Sequence, residues 1–200
     1  MQQKQSNQEA PGEPINSYGG YTALHVVINA GVAQVTINHP PVNVLGVTLI
    51  TELGRFAAAV RYDEQVRVVV LQSADPEFFV AHVDMELVNH PDAFEQLRAT
   101  DYELSSLNLF QQLHERWRTL PQVTIAKISG LARCGGNELV MALDMRFAAR
   151  GRTGLAQSEV LMGIIPGGGG TQYLTRLVGR LAAAPKFQDD LVRSQYRRLQ

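Results

Sequence analysis

The chain has 200 residues, 45 % of them hydrophobic, with 18 basic and 19 acidic residues and a formal net charge of −1. A chain of that size buries a full core, and its even charge balance excludes nucleic acid or an anionic membrane surface as the first expectation for a partner. The one cysteine, Cys134, makes no internal disulfide and is too few for a cysteine-built metal site, so a reducing cytoplasmic setting is expected.

Residues 1–18 are mostly Gln, Asn, Ser, Pro and Gly, with little to bury; a disordered tail without an apolar signal core is expected there. A core domain is expected over 19–180. "YTALHVVI" and "VAQVTINH" read as two strands joined by a hairpin turn at Asn29-Ala30-Gly31. "HPPVNVLG" reads as a loop, because adjacent prolines cannot donate to a ladder. From Thr48 to Val60 the apolar residues Leu49, Ile50, Leu53, Phe56, Ala57 and Val60 recur at helical spacing. "VRVVVLQS" at 66–73 is a buried strand by its β-branched content, and "ADPEFFVAHVDMEL" reads as a loop leading into a short helix. A longer amphipathic helix is predicted over 101–120, stopped by Pro121. "VTIAKISG" is a further buried strand ending at Gly130, and "MRFAA" a short one. "GIIPGGGGTQYLTRLVGR" is a glycine-rich turn feeding a helix that Thr171 or a glycine caps. The last stretch, 181–200, reads as a divergent, weakly packing helix or tail. Strands alternating with helices define an α/β class. No stretch has the length and apolarity to span a membrane.

Two carboxylates stand out against apolar surroundings. In "LARCGGNELVMALDMRFAAR" a strand gives way to a glycine turn and then a helix, with Glu138 in its first turn. The first amides of a helix lack internal acceptors and carry the positive end of the dipole. Glycine lets a ligand oxygen approach them, which is how a backbone oxyanion hole is built. Two readings stand here: Glu138 faces a cleft, or it is an exposed N-terminal helix charge. In "LAQSEVLMGIIPGGGG", Glu159 likewise sits among apolar residues. A pair across one cleft would hold one member protonated through desolvation and repulsion, as acid–base catalysis on one substrate requires. Alternatively Glu159 caps a turn or pairs with an arginine. "IPGGGGTQ" lacks the Lys-Ser/Thr of a phosphate loop, and no strand carries the acids that follow, so a dinucleotide site is not expected. The five His residues, at 25, 39, 82, 90 and 114, show no metal spacing.

Four motifs in order, "INHPPVNVLGVTLITEL", "FFVAHVDMEL", "ISGLARCGGNELVMALDMRFAA" and "LAQSEVLMGIIPGGGGTQYLTRLVG", resemble the crotonase (enoyl-CoA hydratase/isomerase) superfamily from about Tyr21 to Arg180. The resemblance implies a crotonase-like spiral of ββα units. It implies Glu138 and Glu159 as the catalytic acids and the backbone N–H groups of Val83 and Gly135 as the oxyanion hole. Asn43, Val44, Ala81, His82 and Asp84 are the implied substrate contacts. The implied reaction adds water across the 2,3 double bond of an acyl-CoA thioester. No cofactor beyond the coenzyme A of the substrate and no metal is implied. The family also implies a homo-oligomer, trimeric or hexameric. Double-bond isomerisation, or a non-catalytic binding role on the same fold, are the alternatives. The sequence departs from the pattern at Cys134, where the family has the first of three glycines, and at His82 and Val83, where it has Gly and Ala. Ser158 stands where proline is common. After Gly179 the sequence no longer resembles the family's covering helices, so that C-terminal helical region is expected to be largely missing.

Overall fold

The computed structural model describes residues 18–86, 90, 92, 97 and 106–180. The predicted terminal tails apart from Tyr18, the start of the predicted 101–120 helix and most of the short helix after Asp84 fall outside these residues; Tyr18, placed in the tail, is buried against Phe56 and donates its hydroxyl to Asp63. The first two strands, β1 (Leu24–Asn29) and β2 (Val32–Ile37), pair antiparallel from Leu24↔Ile37 to Asn29↔Val32. Their turn places Ala30 at φ 49° and Gly31 at φ 80°, both left-handed as a two-residue hairpin of right twist demands. Ala33, Val35 and Ile37 alternate along β2 and are fully buried. Beyond β2 the sheet is parallel: β3 (Val68–Ser73), β5 (Val123–Ile128) and β7 (Met145–Ala148) complete the order β1-β2-β3-β5-β7.

A second, smaller sheet is made of β4 (Phe78–Val80), β6 (Leu131–Arg133) and β8 (Gly154–Ala156), all parallel, with β6 in the middle. Each follows a strand of the large sheet: β3 leads to β4, β5 to β6 and β7 to β8. A helix then follows each pair: α2 (Leu109–Arg118), α3 (Gly135–Ala142) and α4 (Gly170–Val178). The chain therefore advances by repeated strand–strand–helix units, as the spiral expectation holds. The small strands correct the sequence reading, which took "FFVA" for loop and passed over β6 and β8. Three residues are too few to show a period of two.

Helix α1 (Val47–Val60) buries the predicted stripe, with Leu49, Leu53, Phe56 and Val60 at zero exposure. Helix α2 starts later than predicted. The three residues before Leu109 are not helical, and Asn108 closes a capping box with Gln111. Its Trp117 stacks on Phe56 with ring centroids 5.6 Å apart and donates Nε1–H to the Leu53 carbonyl at 3.2 Å, fastening α2 to α1. The cap of α4 is Gly169 at φ 109°, not the Thr171 side chain.

Candidate active site

Each of the three strands of the small sheet ends in one sequence-predicted segment. Ala81, His82 and Val83 leave β4; Cys134 and Gly135 leave β6; Gln157, Ser158 and Glu159 leave β8. Parallel neighbours put all three carboxyl ends on one edge, which is where open α/β sheets gather ligands. Along that edge lies a cavity of about 450 Å³ lined by Val83, Gly135, Glu138 and Glu159 among others. Glu138 and Glu159 thus share one cavity.

Two backbone amides adjoin it. Leu45 bridges Val83 in parallel fashion, donating its N–H to His82 O at 2.9 Å and accepting from Asp84 N–H at 3.2 Å. That pattern turns the Val83 N–H the other way, and among the described residues it has no acceptor. Gly135 opens α3, so its N–H has no partner within the helix. A Cβ placed on Gly135 would lie 2.5 Å from Val83 Cγ2 and 3.2 Å from Leu45 Cδ2, so only glycine lets the two segments close this far. Just before it, Cys134 holds φ 51° and ψ −127°, a conformation glycine would adopt without strain.

Glu138 is 2 % exposed. Its Oε1 accepts from the Gly168 N–H at 2.9 Å and the Gly170 N–H at 2.7 Å. Burial pushes its pKa up to about 7, against those two amides, which lower it; the nearby Glu159 charge raises it further. Glu159 opens a short 3-10 turn (Glu159–Met162) and is 4 % exposed. Burial raises its pKa too, and its Oε2 is buried without a partner among the described residues. The Gln157 amide fits in either sense. One way it donates to Glu159 Oε1 at 3.3 Å; turned end for end it donates to the Cys134 and Ala156 carbonyls at 3.1 and 3.2 Å. Cys134 Sγ and Ser158 Oγ lie 3.2 Å apart.

The exposed-helix-charge reading of Glu138 does not hold, and among the described residues no arginine pairs with Glu159. Both side chains are buried, and the partners of Glu138 are main-chain amides. Ala81 and His82 line the cavity, the His82 ring bonding the Val83 carbonyl at 2.7 Å. Asn43, Val44 and Asp84 are not among the lining residues. Asn43 instead pins its loop: Nδ2–H donates to Ser73 Oγ at 2.8 Å and to the Phe78 and Phe79 carbonyls, and Oδ1 accepts from His39 N–H at 2.7 Å. Asp84 Oδ1 accepts from Glu86 N–H at 3.0 Å.

Sequence reasoning missed the second task of "PGGGG". Beyond capping α4, it donates two amides to Glu138, a role that leaves no side-chain signature. It also missed the apolar wall of Leu161, Met162, Ile164 and Ile165, and His114 beneath the glycine loop. His114 is fully buried, with Nδ1 2.7 Å from the Gly168 carbonyl and Nε2 without a partner among the described residues. Desolvation lowers its pKa to about 4, partly offset by the Gly168 carbonyl and Glu115.

Two buried carboxyls on one cavity, carried by a spiral of ββα units, are the arrangement that the sequence resemblance implied, and comparison with known proteins gives the family. Residues 27–187 match the family model "Enoyl-CoA hydratase/isomerase". The short-chain-enoyl-CoA hydratase of Clostridium acetobutylicum is 34 % identical over 149 residues, covering 74 % of this chain and 54 % of that one. A crystal structure of the enoyl-CoA hydratase type from Streptomyces avermitilis superposes with a TM-score of 0.80 at 48 % identity, covering 86 % of this chain and 62 % of that one. The enoyl-CoA hydratase from Bacillus anthracis gives 0.72 at 27 % identity, with 87 % and 67 % covered. The chain belongs to the enoyl-CoA hydratase/isomerase family. It spans about half the length of the curated relatives it matches, 54 % in the Clostridium acetobutylicum case.

Proposed function

We propose that the protein hydrates the 2,3 double bond of an enoyl-CoA thioester. The observation that carries this reading is the meeting of Glu138 and Glu159 on one cavity beside the unclaimed Val83 amide and the Gly135 amide that opens α3. The thioester oxygen accepts from the two amides, which stabilise the enolate that forms as C3 is attacked. Removing one such donor costs about 3 kcal/mol of transition-state stabilisation. A water held between the carboxyls gives its proton to the ionised one, and the hydroxide oxygen bonds C3. The π electrons move through C2 onto the thioester oxygen. The protonated carboxyl then delivers its proton to C2 as the carbonyl re-forms. The chemistry needs one acid and one base at the same pH, and two buried carboxyls with raised pKa values, one at about 7, supply that division. The substrate is an acyl-CoA with an apolar chain, because the cavity wall beyond the acids is Leu161, Met162, Ile164 and Ile165.

Loss of crotonyl-CoA absorbance tests this directly. Wild type should turn over, while Glu138→Gln and Glu159→Gln should each lose a factor of about 10²–10⁴. Wild type as inert as both variants refutes hydration. Turnover of a 3-enoyl-CoA alone would reassign the same two acids to double-bond isomerisation.

A further inference from the structure

A buried histidine with no hydrogen bond to either acid among the described residues sits under the loop that holds one of them. His114 lies on α2, with Nδ1 2.7 Å from the Gly168 carbonyl. A carbonyl only accepts, so Nδ1 carries the proton and Nε2 is left bare and buried. The N–H of the same Gly168 donates to Glu138 Oε1 at 2.9 Å, and two residues on the Gly170 N–H donates to the same oxygen at 2.7 Å. A Cβ on Gly168 would meet Glu138 Oε2 at 2.4 Å and His114 Cε1 at 2.6 Å, so carboxylate, glycine and ring are in direct packing.

An apolar side chain would fill this place without orphaning a nitrogen. The polar ring is explained if its one satisfied nitrogen is what the site needs. We propose that His114 is a positioning residue: its Nδ1–H fixes the Gly168–Gly169 peptide, which lies between the two peptides whose Gly168 and Gly170 N–H groups aim at Glu138 and set the proton affinity of that acid. It acts through the main chain and never meets substrate.

Glu159 and Cys134 face Glu138 from the β8 and β6 ends. Tyr173 on α4 donates its hydroxyl to Glu115, which also holds Arg118. His114 stays neutral above its pKa of about 4, so it supplies a fixed donor and not a second titration near neutrality. Without it the Gly168–Gly169 peptide is free to turn, the peptides on either side lose their fixed aim, and the Gly168 and Gly170 donors that favour the ionised form of Glu138 are weakened. Its midpoint then rises by about one pH unit.

The test is a carbon-13 NMR titration of the glutamate carboxyls in the full chain without ligand, Glu138 being assigned by its loss in Glu138→Gln. His114→Phe removes the donor while keeping a ring; His114→Asn keeps an N–H near the Nδ1 position. The Glu138 midpoint should rise in His114→Phe and return close to wild type in His114→Asn. Trp117→Phe, one turn along the same helix, should lower thermal stability and leave the midpoint alone. A folded His114→Phe with an unmoved midpoint overturns the proposal, as does an Asn variant shifted as far as Phe. If His114→Phe does not fold, His114→Asn decides alone: a wild-type midpoint supports the role and a raised one refutes it. The catalytic meaning rests on the hydratase reading, under which His114→Phe lowers kcat with KM little changed. A wild type inert toward crotonyl-CoA sinks that reading and leaves the titration to decide this one.

Discussion

Glu138→Gln should make the protein more stable at alkaline pH. In the folded chain the Glu138 pKa is raised from 4.5 to about 7. A raised carboxyl pKa means that the fold prefers the protonated form. The preference costs nothing below pH 4.5, where the unfolded chain is protonated too; the penalty grows between pH 4.5 and about 7 and is constant above that. The shift of about 2.5 pH units corresponds to about 3 kcal/mol at 1.36 kcal/mol per unit. Glu138 is 2 % exposed, so solvent screening takes little from that figure. Glutamine stays neutral at every pH, and its amide oxygen can still accept from Gly168 and Gly170. Losing the charge also removes the repulsion that Glu159 adds. The variant should therefore exceed wild type by about 3 kcal/mol at pH 8, and by no more than about 1 kcal/mol at pH 5. In a chain of this length that is roughly 6–12 °C in Tm at pH 8. Calorimetry or urea unfolding at the two pH values reads the difference. Equal stability at pH 8, or a gap that does not shrink on acidification, would refute the buried-acid account of the site.

Two further outcomes follow from the scaffold. Gly136→Ala should cost about 1–3 kcal/mol in urea unfolding, because its Cβ would fall 2.6 Å from both Val80 Cβ and the Val80 carbonyl oxygen, where α3 closes on β4; an unchanged midpoint would show that the approach relaxes freely. Glu52→Ala should cost about 2–3 kcal/mol at neutral pH, since this buried carboxylate accepts from Thr22 N–H, Thr22 Oγ1–H and Ala23 N–H. Burial pushes the Glu52 pKa up, but those donors outweigh it and hold it below 4.5, so its contribution is present above that pH and should fade as acid is added below it. A cost that persists unchanged in acid would mean that the side chain acts by packing alone.

The α1 stripe, the β1–β2 hairpin and the long strands could be read directly from the sequence because burial on one face imposes a period along the chain. The two acids stood out for a related reason: a carboxylate amid Leu, Val and Met is out of place unless something local accounts for it. Motif order extended that to the fold and to the Val83 and Gly135 segments. What no local pattern carried was the small sheet. Its three-residue strands have no period to detect, yet their parallel alignment is what brings residues 83, 135, 138 and 159 to one edge. The same holds for the support of Glu138. The donors are glycine amides thirty and thirty-two residues away, and the ring beneath them comes from another helix. Side-chain chemistry is written in the sequence; which main-chain groups are left unpaired, and what they face, exists only once the chain has folded. Hence the sequence by itself determined which ionisable side chains the chain carries amid apolar neighbours. The tertiary structure alone decided that they meet, and it set the proton affinity of Glu138 by trading water for two amides and an apolar wall.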